Sequence, residues 1–452
     1  MLKLHIISFG CQMNAADSEE MTRPLLDRGF QTTGDLAQAD AVLVNTCTVR
    51  QHAEDRAVSQ IGRLRRWKSR APGRLLIVAG CAAERLKASL QKRFPFVDLV
   101  SGAKSIDEYP AALEQVLKKK FNFERESGDC FPAAQPIGST PLPFSGATQS
   151  HVTIMRGCNY NCSYCIVPAV RGREQYRSPA GILQEIREKV ARGAREIMLL
   201  GQTVNSYRYP REAASFGRDA LLTWRRTGEP KMSRDFVDFA DLLRLIEPTQ
   251  GLERIRFMSP HPHYVSDSMI AAMAECRKVC EHIHLPVQSG SDRLLQLMNR
   301  NYSRSEFLNR VAKLRSAIPD IAITTDIIVG FPQETEEDFQ DTLRLVEEAD
   351  FDAAYCFKFS PRDGTAAAPM QGQTAEAVKK ERLKRLLELV ESRALLKKAR
   401  FVGREVEVLM EDVRFGKTRN FFPVKFEQAQ TPGRLARGVI GALENAALVV
   451  KS

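Results

Sequence analysis

Three cysteines lie close together near the middle of the sequence, separated by three and then two residues. Cys158, Cys162 and Cys165 fall within the stretch Met155-Arg-Gly-Cys-Asn-Tyr-Asn-Cys-Ser-Tyr-Cys165. Thiolates at this spacing can converge on one metal centre from a single loop, whereas a closed zinc or iron–sulfur site takes four ligands. A four-iron cluster held by only three cysteines keeps one iron open to a small molecule. The spacing therefore predicts a reactive iron–sulfur cluster, and the competing hypothesis is a zinc site completed by His151.

A second set of three cysteines is spread over the first hundred residues. Cys11, Cys47 and Cys81 each follow an apolar segment that is typical of a buried β-strand. These segments are residues 2–8, 40–45 and 74–79. Helical segments between them imply a parallel, doubly wound sheet, in which the loops at the carboxyl ends of the strands share one edge. The three thiols can therefore hold a second incomplete cluster, and the alternative is three unrelated buried cysteines.

Both cysteine sets resemble those of a known family. The matching stretches are Phe9-Gly-Cys-Gln-Met-Asn-Ala-Ala-Asp-Ser-Glu19, Asn45-Thr-Cys-Thr-Val-Arg50, Ala79-Gly-Cys81 and Arg156-Gly-Cys-Asn-Tyr-Asn-Cys-Ser-Tyr-Cys-Ile-Val-Pro168. They are similar to the radical S-adenosylmethionine (SAM) methylthiotransferases, and the resemblance runs along nearly the whole chain. Gly-Cys-Gln-Met-Asn followed by Asp-Ser-Glu resembles the branch that acts on tRNA bearing N6-dimethylallyladenosine. The branches acting on threonylcarbamoyl-adenosine tRNA or on a ribosomal protein usually carry other residues there, and both stay open as alternatives.

The resemblance implies an enzyme with two 4Fe-4S clusters and SAM as cofactors. The cluster on Cys158, Cys162 and Cys165 would cleave SAM to a 5′-deoxyadenosyl radical, which activates C2 of the adenine next to the anticodon. The auxiliary cluster on the other three cysteines would deliver sulfur that a second SAM methylates. The implied partners are the tRNA anticodon loop, a reductant of the flavodoxin or ferredoxin type, and a sulfur or cluster donor. The remoter alternative is a non-enzymatic iron–sulfur RNA-binding protein, which would not cleave SAM.

The order of the predicted elements divides the chain into domains. We expect an auxiliary-cluster domain at 1–120, a Pro-rich linker at 121–149, a radical-SAM domain at 150–372, a connecting helix at 373–400 and a TRAM-like RNA-binding domain at 401–452. The predicted fold class is α/β, with a doubly wound parallel sheet followed by a partial (β/α)6 barrel. In such barrels the chemistry lies at the carboxyl ends of the strands. Short strands after residue 401 predict a small antiparallel β-barrel.

Candidate binding residues follow the predicted strands or lie in the last domain. For SAM they are Tyr164, Gly201, Gln202, Asn205, Gln288, Ser289 and Gly330. For tRNA they are Gln12, Asn14, Arg414, Lys417 and Arg419. Phe421 and Phe422 could stack on bases or fill the barrel core. Family members generally carry Gly at the position of Gln333, so the shape of that turn is in question.

Composition narrows the class of protein. The 452 residues are 43% hydrophobic, which suits folded cores, and no apolar run is long enough to span a membrane. The net charge of +11 favours a polyanionic partner such as tRNA. Ten cysteines without an export signal indicate metal ligands in a reducing cytoplasm rather than disulfides. We therefore expect a cytoplasmic monomer without membrane attachment, in which Cys276, Cys280 and Cys356 belong to the core.

Overall fold

The computed structural model describes residues 1–49, 51–121, 148–211, 222–223 and 236–451. They fall into two units. The first unit holds residues 1–121 together with Arg156–Asn159 and Ile166–Gln175, and the second holds residues 148–155, Tyr160–Cys165 and the described chain from Tyr176 onward. The predicted linker lies almost wholly outside the described residues. In the part of the chain that is described, no helix is both long and apolar enough to cross a membrane.

A five-stranded parallel sheet forms the centre of the first unit. Its strands are β1 Lys3–Ser8, β2 Gln31–Thr32, β3 Ala41–Thr46, β4 Leu75–Gly80 and β5 Leu99–Gly102, in the order β2-β1-β3-β4-β5. The helices of this unit are α1 Gln12–Leu26, α2 Gln51–Ser69, α3 Cys81–Arg93, α4 Tyr109–Phe121 and α5 Val167–Arg171. The strand order reverses between β1 and β3, where open sheets of this kind bind their ligands.

The central strands β3 and β4 are buried on both sides because helices cover both faces of the sheet. Successive side chains of a strand point to opposite faces. Along β3, Leu43 therefore faces a core shared with α1 and α4, while Val44 faces a core shared with α2 and α3. The predicted doubly wound arrangement is confirmed.

Six parallel strands form the barrel region of the second unit. They are β6 Gln149–Thr153, β9 Glu196–Leu200, β13 Arg254–Phe257, β14 His282–His284, β15 Ala322–Val329 and β16 Ala353–Lys358. They pair as two sheets, β6-β9-β13 and β14-β15-β16, and a parallel bridge joins Ile255 of β13 to Val279 just before β14. The number and direction of these strands agree with the predicted partial barrel.

The remaining elements between residues 155 and 399 surround this region or connect its strands. The helices are α6 Pro179–Ala191, α7 Phe239–Ile246, α8 Asp267–Glu275, α9 Asp292–Leu297, α10 Arg304–Ala317, α11 Glu336–Ala349 and α12 Glu376–Ala399. The short strands are β7 Met155–Arg156, β8 Gln175–Tyr176, β10 Arg208–Pro210, β11 Leu222–Thr223 and β12 Phe236–Asp238. Helix α12 is the predicted connecting helix.

Five strands close into a small barrel at the end of the chain. They are β17 Glu405–Met410, β18 Phe415–Thr418, β19 Pro423–Phe426, β20 Leu435–Glu444 and β21 Ala447–Val450. The closed order is β17-β18-β19-β21-β20. Four of the five pairs are antiparallel, as expected, but β19 and β21 run parallel. Closure pairs both edges of each of these five described strands.

Two fully buried arginines of β13 join this barrel to the parallel strands within the second unit. Arg256 donates to the backbone carbonyls of Arg419 at 2.8 Å and Thr418 at 2.7 Å. Its Nε lies 2.9 Å from a carboxylate oxygen of Glu196, which is itself buried. Arg254 donates to other carbonyls of the same barrel. Because a buried charge requires partners, these contacts fix how the barrel docks.

We predict that Arg256→Met lowers the free energy of unfolding by about 3 kcal/mol, because it leaves the buried carboxylate of Glu196 without its charged partner. Arg404→Met is the matched control, since Arg404 is exposed and forms only a long ion pair, of 3.9 Å, with the exposed Asp320. The control should change stability by no more than about 0.5 kcal/mol. Urea unfolding followed by circular dichroism measures both, and equal midpoints for the two variants would contradict the assignment.

Candidate active site

The three cysteines of the first unit lie at the carboxyl edge of its sheet. Cys11 immediately precedes α1 and is exposed, Cys47 follows β3, and Cys81 begins α3; the last two are buried. A Cβ atom at Gly10, where φ is +111°, would lie 2.5 Å from the Cβ of Cys47. Only glycine permits both this conformation and this close approach. The loops of the three cysteines meet at one edge, and their role as ligands stays a prediction.

A buried asparagine ties these loops together. The Nδ2 of Asn14 donates to the carbonyls of Phe9 and Thr46, both at 2.9 Å. The hydroxyl of Thr46 donates to the carbonyl of Ala79 at 2.7 Å, which connects β3 to β4. These bonds fix the backbone just before each cysteine. Asn14 is 1% exposed, whereas Gln12 is half-buried and keeps some exposed surface; tRNA contact stays a prediction for both side chains.

Asp17 of α1 lies between two arginines that belong to the same unit. One carboxylate oxygen accepts from Nη1 of Arg156 at 2.6 Å, and the other accepts from Nη2 of Arg171 at 2.7 Å. The same Nη2 donates to Oδ1 of Asn14 at 3.1 Å. Burial alone would raise the pKa of Asp17, but the charges of Arg171 and Arg156 outweigh it and lower the pKa. The carboxylate therefore stays ionised inside the protein.

We predict that Asp17→Asn destabilises the cluster-free protein by about 3 kcal/mol, because two buried guanidinium groups lose their shared anion. The control is Asp27→Asn, since Asp27 is an exposed residue at the other end of α1 and should cost less than about 0.5 kcal/mol. Thermal unfolding by circular dichroism compares them. An unchanged transition in Asp17→Asn would show that the pairing does not stabilise the fold.

The donors that the three cysteines bring to this edge are thiols, which are the usual ligands of iron–sulfur clusters. Among the described residues, no group of three or more His, Cys, Asp or Glu side chains is arranged to hold a single metal ion. In a four-iron cluster each thiolate binds a different iron, so its ligands stand farther apart than those of one ion. Burial raises the pKa of Cys81 to about 11, and the thiols of Cys47 and Cys11 interact with it electrostatically. Binding of iron would therefore displace a proton from Cys81.

The second cysteine loop is divided between the units. Cys158 belongs to the first unit, and the other two cysteines belong to the second. There, Nη1 of Arg300 donates to Sγ of Cys162 at 3.4 Å. Its Nε donates to the hydroxyl of Tyr302 at 3.0 Å and its Nη2 to the carbonyl of Pro286, also at 3.0 Å. Arg300 is buried, and all three of its side-chain nitrogens are hydrogen-bonded. Two of the bonds hold the guanidinium in place, and the third fixes the position of Cys162.

Most of the SAM candidates lie in turns that follow parallel strands. The side-chain amide of Asn205 clamps the backbone of His261, with bonds of 2.9 and 2.8 Å. The backbone N–H of Gln288 donates to β15 at 2.8 Å, and that of Gly330 donates to Glu334 at 2.6 Å. These contacts fix the shape of the turns. The remaining candidates are the half-buried Tyr164 and Gln202 and the buried Gly201 and Ser289. SAM contact stays a prediction for all seven.

The turn at Gln333 keeps the conformation that suits glycine. Gln333 has φ of +67°, and its N–H donates to the carbonyl of Gly372 at 2.7 Å. A non-glycine residue in this region costs about 1 kcal/mol. The difference from the family pattern therefore adds strain without removing the turn.

The tRNA candidates of the last domain differ in what they contact. Arg414 is exposed. Lys417 pairs with Glu411 at 2.7 Å, and Arg419 pairs with Glu281 at 2.7 Å. Arg419 also donates to backbone carbonyls next to β14, so it contributes to docking of the barrel. Arg414 is thus the best placed of the three to reach a phosphate.

The two phenylalanines of this domain have separate roles. Phe422 is 5% exposed and belongs to the barrel core, so the core alternative is correct for it. Phe421 stacks on His282, with ring centroids 4.9 Å apart, and lies beside the guanidinium of Arg256. Phe422 is therefore a core residue, and the ring of Phe421 already contacts an aromatic ring and a cation of the same unit.

Sequence reasoning missed a polar face formed by β14, β15 and β16. His284 lies 3.3 Å from the carboxylate of Asp326, and the ring of Tyr355 stands 5.7 Å from that of His284. Tyr355 is 52% exposed. An exposed aromatic ring beside hydrogen-bonding groups suits an unstacked nucleobase. The available signal was the presence of polar residues within His282–His284 and Ala322–Val329, since strands buried on both faces are apolar throughout.

Two family models match the chain. One, described as the radical SAM superfamily, covers residues 152–346, and the other, described as uncharacterized protein family UPF0004, covers residues 3–102. Each match lies within one of the two predicted cysteine-bearing domains. The first match supports the iron–sulfur interpretation of Cys158, Cys162 and Cys165 over the zinc hypothesis.

Curated relatives match over almost the full length. The tRNA-2-methylthio-N(6)-dimethylallyladenosine synthase of Caldicellulosiruptor saccharolyticus is 44% identical over 90% of this chain and 82% of its own. The synthase of the same name from Moorella thermoacetica is 41% identical over 96% of this chain and 94% of its own. The chain belongs to this synthase family. The sequence resemblance to radical-SAM methylthiotransferases is confirmed.

Solved structures agree with the fold expected for the family. The radical SAM methyltransferase TsrM from Kitasatospora setae has a TM-score of 0.56 at 13% identity, over 81% of this chain and 77% of its own. The cobalamin-dependent SAM radical enzyme OxsB has a TM-score of 0.51 at 12% identity, over 87% of this chain and 56% of its own. At these identities the likeness shows the fold alone.

Proposed function

We propose that this chain methylthiolates C2 of N6-dimethylallyladenosine next to the anticodon of tRNA, using SAM and two 4Fe-4S clusters. The observation that carries the proposal is the presence of two separate sets of three cysteines, each one ligand short of a closed cluster. The name shared by relatives that are 41–44% identical over most of the chain supports this substrate. The net charge of +11 suits a nucleic acid.

The residues have distinct roles in this proposal. The cluster ligands are Cys158, Cys162 and Cys165 for the radical-SAM cluster and Cys11, Cys47 and Cys81 for the auxiliary cluster. When bound, these groups supply reductive cleavage of SAM and the sulfur that is transferred. Asn14 and Thr46 hold the strand-end loops of the auxiliary set, and Arg300 holds Cys162. Preorganised supports of this kind keep ligands in the geometry that the chemistry requires.

The substrate side of the proposal rests on the exposed polar face of the second unit. Tyr355 would stack on an unpaired base of the anticodon loop, and Asp326 with His284 would offer hydrogen-bonding groups to its edge. Extruding a base from a single-stranded loop costs less than extruding it from a duplex. Arg414 would contact the phosphate backbone, as would Gln12 through its exposed part.

We predict that Arg414→Ala weakens tRNA binding and reduces the slope of log affinity against log salt by about 1, because one phosphate contact is lost. Arg344→Ala is the control: Arg344 is an exposed arginine of α11 that pairs with Asp341 on the same helix. Filter binding or fluorescence anisotropy over a salt series measures both slopes. Equal slopes for Arg414→Ala and the unaltered protein would remove Arg414 from the interface.

We predict that Cys158→Ala abolishes both 5′-deoxyadenosine and methylthiolated product, while Cys47→Ala abolishes only the product. Each change removes a ligand of a different cluster. The assay is mass analysis of nucleosides after anaerobic incubation of reconstituted protein with reductant, SAM and tRNA bearing N6-dimethylallyladenosine. Cys276→Ala should retain both activities, since Cys276 is a buried core residue.

The same assay separates the alternatives. If 5′-deoxyadenosine forms while N6-dimethylallyladenosine stays unchanged, the substrate is threonylcarbamoyl-adenosine tRNA or a ribosomal protein, and both are tested alongside. If no SAM is cleaved by fully loaded protein, the non-enzymatic RNA-binding alternative holds.

We also propose the partners of the protein, its location in the cell and the limits of its domains. A reductant of the flavodoxin or ferredoxin type would supply electrons, and a sulfur or cluster donor would replace the sulfur used in each turnover. The described cysteines are not joined in disulfide bonds, which suits a reducing cytoplasm. Residues 1–120 would carry the auxiliary cluster, 150–372 the radical-SAM cluster and 401–452 the RNA-binding barrel.

A further inference from the structure

Each set of cysteines is accompanied by one buried arginine. In the second unit, Arg300 donates to the Sγ of Cys162 at 3.4 Å. In the first unit, Nη2 of Arg171 and Sγ of Cys11 both donate to Oδ1 of Asn14, at 3.1 and 3.8 Å, and Cys81 packs in one cluster with Val170, the residue before Arg171. The two arginines belong to different elements, since Arg171 ends α5 and Arg300 follows α9. Neither was singled out by the spacing of the cysteines.

Arg171 has one donor left over. Its Nη2 is held by Asp17 at 2.7 Å and by Asn14 at 3.1 Å. Its Nη1 is buried and has no hydrogen-bond partner among the described residues. A buried donor without a partner costs about 1–3 kcal/mol, so such groups call for an explanation such as a ligand. The nearby sulfur-bearing site provides one.

We propose that Arg171 and Arg300 are positioning residues that each raise the reduction potential of one cluster, Arg171 that of the auxiliary cluster and Arg300 that of the radical-SAM cluster. This inference rests on the ligand assignment of the proposed function. Arg171 donates through Nη1 to a sulfur of the auxiliary cluster, and Arg300 donates to the Cys162 thiolate. Asp17 and Asn14 hold Arg171 in place, while Tyr302 and Pro286 hold Arg300.

The direction of the effect follows from charge. Adding an electron makes a thiolate-bound cluster more negative, so a nearby cation and an N–H···S hydrogen bond stabilise the reduced form. Hydrogen bonds to the sulfurs and burial are among the levers that set the potentials of iron–sulfur clusters. Removing one arginine should therefore lower the potential of its own cluster and leave the other unchanged.

The test uses full-length chains that keep one cluster each. Arg171→Met and Arg171→Lys are made in the chain with Cys158, Cys162 and Cys165 changed to Ala, and Arg300→Met and Arg300→Lys in the chain with Cys11, Cys47 and Cys81 changed to Ala. Potentials are read by redox titration with electron paramagnetic resonance detection. Each Met variant should lower the ratio of reduced to oxidised cluster at fixed potential at least tenfold, which is about 59 mV for a one-electron couple. The Lys variants, which keep the charge, should shift less.

Each arginine serves as the control for the other, and Arg254→Met controls for loss of a buried arginine. Arg254 donates to carbonyls of the C-terminal barrel instead. If clusters assemble and the Met and Lys variants keep the parental potentials, the inference is overturned while the proposed function stands. A Met variant that loses its cluster leaves the Lys variant to decide. If neither parental chain assembles a cluster, the ligand assignment itself fails.

Discussion

The arrangement of the first cysteine set depends on one buried carboxylate. Asp17 holds Arg156 and Arg171 at 2.6 and 2.7 Å, and Arg171 in turn reaches Asn14, which ties the loops before Cys11 and Cys47. Removing one partner from such a buried network is costly, because the others stay desolvated and unpaired. The strand-end loops are thereby held by polar contacts that only one geometry satisfies. A cluster site built from three distant segments needs this kind of constraint.

The second unit follows the same physical rule with different partners. Buried arginines satisfy groups that would otherwise lack hydrogen bonds: Arg256 binds carbonyls of the C-terminal barrel, and Arg300 binds the Cys162 thiol. These arginines belong to the excess of basic residues, but their charged groups are bonded inside the protein and are not exposed to RNA. Arg256 therefore docks the barrel, and Arg300 positions the cysteine loop. The nucleic-acid contacts that we propose involve exposed groups instead, such as Arg414 and Tyr355.

The architecture could be predicted because it depends on local features of the sequence, namely the period of the apolar residues and the spacing of the cysteines. The apolar segments that precede Cys11, Cys47 and Cys81 predicted the parallel sheet and the edge where the cysteines lie. The strand predicted at 196–200 coincides with Glu196–Leu200. Side-chain partners could not be predicted, since they depend on contacts between distant segments. Asn14 looked like a substrate residue in the motif but is buried, and Arg171 showed no local signal at all. The polar face at Tyr355 could be inferred only from the polar residues within the individual strands.

The central claim is that one chain holds two separate three-cysteine clusters. The direct measurement is iron and sulfide content with Mössbauer spectra of the reconstituted protein, compared with the chain in which Cys11, Cys47 and Cys81 are changed to Ala. The account predicts about eight irons per chain, falling to about four in the variant, with all iron in 4Fe-4S clusters. An unaltered protein that holds only about four irons, or a variant that keeps the full content, would contradict it.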